Sequence, residues 1–321
     1  MKKLVSIIAI TAAMFSCSKN QLESPSPSQP NEVKLGVSDV QITDGILTFQ
    51  SKEHLKNVVQ ELSKSKKSKY FDGNQGFVSM LTVRNKISET EMEEIAKNNS
   101  VGRYKGILSI QVINATEKRI VAAIDDDVFA SVLSKDGVVV IGQSAYKIIE
   151  DKIYSYNLRN SSIKMTDFIA NSTLPNVKVE QVKQTRAPLK LKGARVLYGN
   201  AYYESGGRDY RFYGDFASND YGFYSNARVC VHHEKYFHGW FGTRWWGGFD
   251  APNISFSYTG SLYETPYISN FPANGDESGS YTSGVDNTVN WGFGGVTTGW
   301  NWASGNASCL GVDYNNHSFS F

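Results

Sequence analysis

Three of the five histidines, His232, His233 and His238, crowd into one stretch with Cys230 and Glu234, with Asp250 a little further on. Imidazole, thiolate and carboxylate are the usual zinc ligands, but a zinc site needs three or four of them converging on one point, and no recognised ligand spacing is present. If Ala227 to His233 is a strand, Cys230 and His232 share one face and His233 takes the other. Histidines on hairpin faces are therefore the simpler expectation, and neither a metal nor another cofactor is called for. Cys230 with His232 or His317 could imitate a thiol nucleophile and its base. Carboxylates for glycoside hydrolysis are available in Glu204, Asp209, Asp215, Glu234, Asp250 and Glu264, but such a pair is defined by spatial distance and none stands out. A nucleophile elbow, a zincin helix and a phosphate-binding loop are all missing from the sequence.

The stretch from Tyr236 to Phe249, Tyr-Phe-His-Gly-Trp-Phe-Gly-Thr-Arg-Trp-Trp-Gly-Gly-Phe, is the most suggestive of a binding function. Flat rings can stack on sugar faces, and tryptophan joins an apolar body to a polar N–H, which suits interfaces. Two readings stay open. Either Trp240, Trp245 and Trp246 form a ligand-binding surface for a glycan or a protein, or these rings are the core and edge of a small β-structure.

The elements that must position these residues change character along the chain. Residues 33–183 mix helix and strand. Ser51 caps a helix with Leu55, Val58, Val59 and Leu62 on one side. Ser88 and Glu91 form a capping box for a second helix. Asp125, Asp126 and Asp127 suit the cap and first turn of a third. Val138 to Ile141, Gly142-Gln143 and Ser144 to Ile149 read as a hairpin. Residues 190–321 hold 20 of the 28 glycines, all six tryptophans and 13 of the 18 tyrosines. Short alternating stretches there, separated by Gly, Asn, Asp and Ser, predict an all-β antiparallel sandwich or barrel. The expected fold is thus an α+β domain over 33–183, a linker near Arg186, and an aromatic β-domain over 190–321.

Lys2 and Lys3 precede an apolar run from Leu4 to Phe15, too short for a bilayer, which needs roughly 20 apolar residues, and the right length for an export signal. Met14-Phe15-Ser16-Cys17 follows, and it resembles the lipobox of bacterial lipoproteins, with Met14 in place of the usual leucine. The resemblance implies removal of the signal and acylation of Cys17, a membrane anchor. Residues 18–32, with three prolines among Ser, Asn and Gln, read as a flexible tether. Once Cys17 is committed, Cys230 and Cys309 remain as an even pair, which in an exported chain predicts one disulfide. The net charge of +2 argues against a nucleic-acid partner.

Asp44-Gly45-Ile46-Leu47-Thr48-Phe49-Gln50-Ser51-Lys52-Glu53, Phe129 to Gly137 with Ser144-Ala145-Tyr146-Lys147, and Tyr221-Gly222-Phe223-Tyr224-Ser225 resemble a family of Bacteroidetes lipoproteins with the domain of unknown function DUF4848. The resemblance spans most of the mature chain. It implies export and lipidation and assigns no catalytic or ligand residue. The sequence therefore points to a lipid-anchored cell-envelope protein acting as a non-catalytic binding or adhesion module, its rival being an extracellular hydrolase of polysaccharide or peptide.

Overall fold

The computed structural model describes residues 35–321 apart from 68, 160–162, 172–173, 187–197, 240–242, 266–268 and 294–295. The signal peptide, Cys17, the tether and Trp240 therefore lie outside the described residues.

In chain order the elements are β1 (Gln41–Thr43), β2 (Ile46–Phe49), α1 (Lys52–Ser65), α2 (Met80–Arg84), α3 (Glu89–Asn98), β3 (Leu108–Asn114), β4 (Glu117–Ala122), α4 (Asp127–Val132), β5 (Val138–Ile141), β6 (Ser144–Ile149), β7 (Lys152–Asn157), α5 (Met165–Ala170), β8 (Lys178–Gln181), β9 (Lys183–Arg186), β10 (Tyr198–Ser205), β11 (Arg208–Asp220), β12 (Tyr224–His238), β13 (Arg244–Gly248), β14 (Ala251–Thr265), β15 (Ser269–Thr282), β16 (Gly284–Phe293), β17 (Thr297–Leu310) and β18 (Asn316–Ser320). The chain is mostly strand with few helices, arranged in several sheets. No helix among the described residues is long and apolar enough to cross a membrane.

The local signals behave as their chemistry requires. Ser51 accepts the amide of His54 and starts α1, which buries Leu55, Val58, Val59 and Leu62. Ser88 and Glu91 close their capping box on α3. Asp126 takes the cap of α4 by accepting the amide of Phe129. The hairpin of β5 and β6 turns at Gly142-Gln143, with Ile141 opposite Ser144.

Three sheets form. A six-stranded sheet runs β1-β2-β5-β6-β7-β8. A larger one runs β10-β11-β12-β13-β4-β3, with β16 also on β12 and β9 also on β11. A third runs β15-β14-β17-β18. One face of the large sheet, with Phe212, Phe216, Val229 and Val231, shares a core with Ile254, Phe256, Trp300 and Ala303 of the third.

The expected division at residues 183–190 does not hold. The hairpin β3–β4 joins the large sheet by parallel pairing of β4 with β13. A second core contains Leu55, Val58 and Phe129 together with Tyr221, Phe223, Tyr224 and Trp245. Phe129 stacks on Tyr224 at 4.1 Å between centroids. Leu35–Phe321 is one compact unit. The physical reason is that β13, β4 and the short helices each expose an apolar face that only the other segment can cover.

Candidate functional site

The large sheet is unusual in that one of its faces is charged. Strand geometry sets this up: directly opposed residues in antiparallel strands point to the same side. On β11 and β12, Arg211 faces Glu234, Tyr213 faces His232, Asp215 faces Cys230 and Ala217 faces Arg228. On the other flank of β12, His232 faces Gly284, Cys230 faces Asp286 and Arg228 faces Thr288 of β16. The intervening residues, Phe212, Phe216, Val229 and Val231, go to the apolar core behind. The alternation of Arg228, Cys230, His232 and Glu234 with Val229 and Val231 is thus a two-sided strand, as the sequence suggests.

A cavity of about 680 Å³ opens over the charged face. Asp215, His232, Glu234 and Asp286 line its floor. Arg119 and Ala122 of β4, Asp125 and Asp127 beside α4, and Ile87 and Met92 around α3 form one wall. Phe249 and the turn from Tyr281 to Gly284 form the other. A Cβ on Gly284 would stand 2.7 Å from the His232 imidazole, so glycine is what lets β16 reach the floor.

Opposed charges settle against one another within this face. Glu234 accepts hydrogen bonds from Arg119 and from both Nε (2.9 Å) and Nη2 (2.5 Å) of Arg211. Burial alone would raise the Glu234 pKa, but Arg119 and Arg211 outweigh it and hold the carboxylate down to about 2. Arg228 bridges Asp125 and Asp286, the latter at 2.7 Å. Burial pushes Asp286 well above the usual carboxylate range. Arg228 offsets this in part, and the nearby charges of Asp126 and Asp127 add to it. Asp286 accepts from Arg228 and turns toward the cavity. Burial, then Arg119, drives His232 down to about 4, leaving a neutral imidazole. No hydrogen-bond partner for His232 is present among the described residues.

The structure corrects several expectations. Cys230 and Cys309 are both free and buried. Cys230 points to the charged face, whereas Cys309 of β17 sits in the apolar core on the opposite side of the large sheet, so the sheet itself lies between them. Nor is Cys230 an activated nucleophile: its thiol donates to Asp215 at 2.6 Å, and burial pushes its pKa well up. Trp245 and Trp246 are 1% and 3% exposed and cannot form a recognition surface. On β13, Trp245 is buried in the second core and Trp246 lies beneath Arg211, whose guanidinium sits 4.7 Å from its ring. The Trp246 indole N–H is committed to Glu117. Of the three clustered histidines, His232 faces the cavity, His233 faces Tyr203 at 2.5 Å on the other side, and His238 is exposed. His317 pairs with Asp313 at 3.0 Å, away from Cys230. Among the described residues, no three His, Cys, Asp or Glu groups are placed to hold a metal ion.

Asp286, Arg119 and Tyr281 carry no signal in the sequence as site residues, because β16, β4 and β15 bring them to the cavity only in the folded chain. The one readable signal is the polar face of Arg228, Cys230, His232 and Glu234. No family model matches the chain, and no curated protein matches it either.

Proposed function

We propose that this chain is a lipid-anchored cell-envelope binding protein whose cavity over the charged face takes a small polar organic ligand. The large and four-stranded sheets are read as a β-sandwich carrying the site on its outer face. The observation that carries the reading is the cost of that face. Buried ion pairs contribute little net stability over apolar residues of the same size, yet Arg119, Arg211, Arg228, Glu234, Asp215 and Asp286 are buried or nearly so around a cavity. The cavity volume is in the range of small-ligand sites, roughly 300–1,000 Å³, and hydrogen-bonding groups converge on it beside apolar walls. A concave site of this kind suits a small molecule or the end of a polymer better than a flat protein surface.

The anchor reading rests on Lys2 to Cys17 and on the resemblance to DUF4848 lipoproteins. Cys17→Ala should move the protein from the detergent phase to the aqueous phase and abolish lipid labelling; unchanged labelling would refute acylation at Cys17.

Binding is tested by calorimetry of the detergent-solubilised chain against a panel of oligosaccharides, peptides, amino acids and polyamines. At least one class should bind saturably without turnover, and Ala122→Phe, which places a ring in the cavity, should abolish it. One observation favours a second, hydrolytic reading: Asp215 and Asp286 flank Cys230 on neighbouring strands, so two carboxyl groups face one cavity. Turnover of any panel member would replace the binding reading with that one.

A further inference from the structure

Tyr281 stands at the mouth of the cavity in a conformation that its own packing does not explain. Its φ is +52°, the left-handed region that a bulky L residue enters only at a cost. Ser280 pairs with Asn253 and Thr282 with Ala251, leaving Tyr281 without a register partner opposite Pro252, which has no N–H to offer. Its side chain is 81% exposed, and it makes no ring contact with any aromatic among the described residues. A strained backbone therefore displays a bare aromatic ring at the rim.

Below that ring the floor offers hydrogen bonds and no free guanidinium. Arg84 is held by Asp127, Arg119 by Glu234, and Arg228 by Asp125 and Asp286. Every guanidinium lining the cavity is thus engaged with a carboxylate, and none is left for an anionic ligand. Among the described residues His232 has no hydrogen-bond partner, and Asp286 offers carboxyl oxygens beside the one bonded to Arg228. A floor of hydrogen-bonding groups with no free guanidinium, beneath an exposed flat ring, matches a molecule with one hydroxyl-bearing edge and one C–H face.

Building on the reading of the cavity as a binding site, we infer that its ligand is a neutral saccharide, one pyranose unit resting its hydroxyl edge on Asp286 and His232 and its C–H face on Tyr281. Uronic acids and sulfated sugars are excluded because their charge meets surplus carboxylate and no free cation.

The experiment uses the full chain in detergent with three probe sets: neutral oligosaccharides of glucose, mannose, xylose and galactose; oligogalacturonate and chondroitin sulfate; and the amino acids and polyamines. Neutral oligosaccharides should bind, and anionic ones should not. Tyr281→Gly relieves the strained φ and removes the ring, so it should raise Tm by about 2–4 °C while weakening binding roughly tenfold. Tyr281→Phe should keep the affinity of the native chain. A rise in Tm with affinity lost is an outcome that a purely structural role for Tyr281 would not give. Unchanged affinity in Tyr281→Gly, or tighter binding of the anionic sugars, would overturn the inference. An amino acid or polyamine that binds, is blocked by Ala122→Phe and ignores Tyr281 would overturn the saccharide but leave the cavity standing. Ligands of every class that bind equally to the Ala122→Phe chain would overturn both.

Discussion

Glu234→Ala should destabilise the folded chain by about 3–5 kcal/mol, the usual effect of breaking a buried ion pair from one side. Glu234 is 2% exposed and accepts from two buried guanidiniums. Arg211 has a second carboxylate in Glu117, 3.7 Å away. Among the described residues Arg119 has no second ion-pair partner and keeps the Tyr213 ring at 4.4 Å and the more distant charge of Asp215, so most of the loss falls on Arg119. The effect also depends on pH in a defined direction. The Glu234 pKa is lowered from 4.5 to about 2 on folding. A lowered carboxylate pKa contributes stability that is fully present above pH 4.5 and is lost as pH falls through 2. The contribution is roughly 3 kcal/mol on that shift. Denaturant unfolding of the native chain and of Glu234→Gln should therefore converge between pH 4.5 and pH 2. A gap that stays constant through that window would show that Glu234 is not held ionised by its arginines.

Asp126→Ala should rank beside it, at about 4 kcal/mol. Asp126 is fully buried and caps α4 through the Phe129 amide at 2.9 Å. The same carboxylate accepts from the Tyr224 hydroxyl, from Asn226 at 2.6 Å and from Thr288 at 3.3 Å. A lost cap costs about 1 kcal/mol, and each stranded buried donor costs about 1–3 kcal/mol, less than additively within one network. Because α4 lies early in the chain and Tyr224, Asn226 and Thr288 lie late, this residue ties the two segments together. The measurement is the denaturant midpoint, which should fall with an unchanged slope. Asp126→Asn keeps one acceptor oxygen and should lose about half as much. If Asp126→Ala cost no more than an ordinary cap, the network across the sheet would carry no stability.

These two residues also show what the sequence could reveal. The cap at Asp126 was legible, because an aspartate before a hydrophobic run signals a helix start. Its second role was not, because Tyr224 and Thr288 are distant in sequence. The strands of the late segment were partly legible. β11, β12 and β14 alternate large apolar residues with polar ones. β17 escapes because its buried face is Ala303, Gly305, Ala307 and Cys309. Small side chains give no apolar alternation, and the space is filled from elsewhere: a Cβ on Gly305 would meet the Phe321 ring at 2.9 Å. β15, rich in Gly, Asn and Ser, reads as a chain of turns for the same reason. The tryptophans misled because ring content marks both binding surfaces and cores, and only the pairing of β13 between β12 and β4 decides for Trp245 and Trp246. The site was hidden because its wall and floor are distant in sequence: Arg119 meets Glu234 across 115 positions.

The charged face of the large sheet is proposed as the place where a ligand binds. The structure of the full chain with the tightest compound of the calorimetric panel tests it most directly. The compound should lie in the cavity of about 680 Å³, within hydrogen-bond distance of Asp286 and His232 and against Tyr281. A compound bound elsewhere, with Asp286, His232 and Tyr281 untouched, would contradict it.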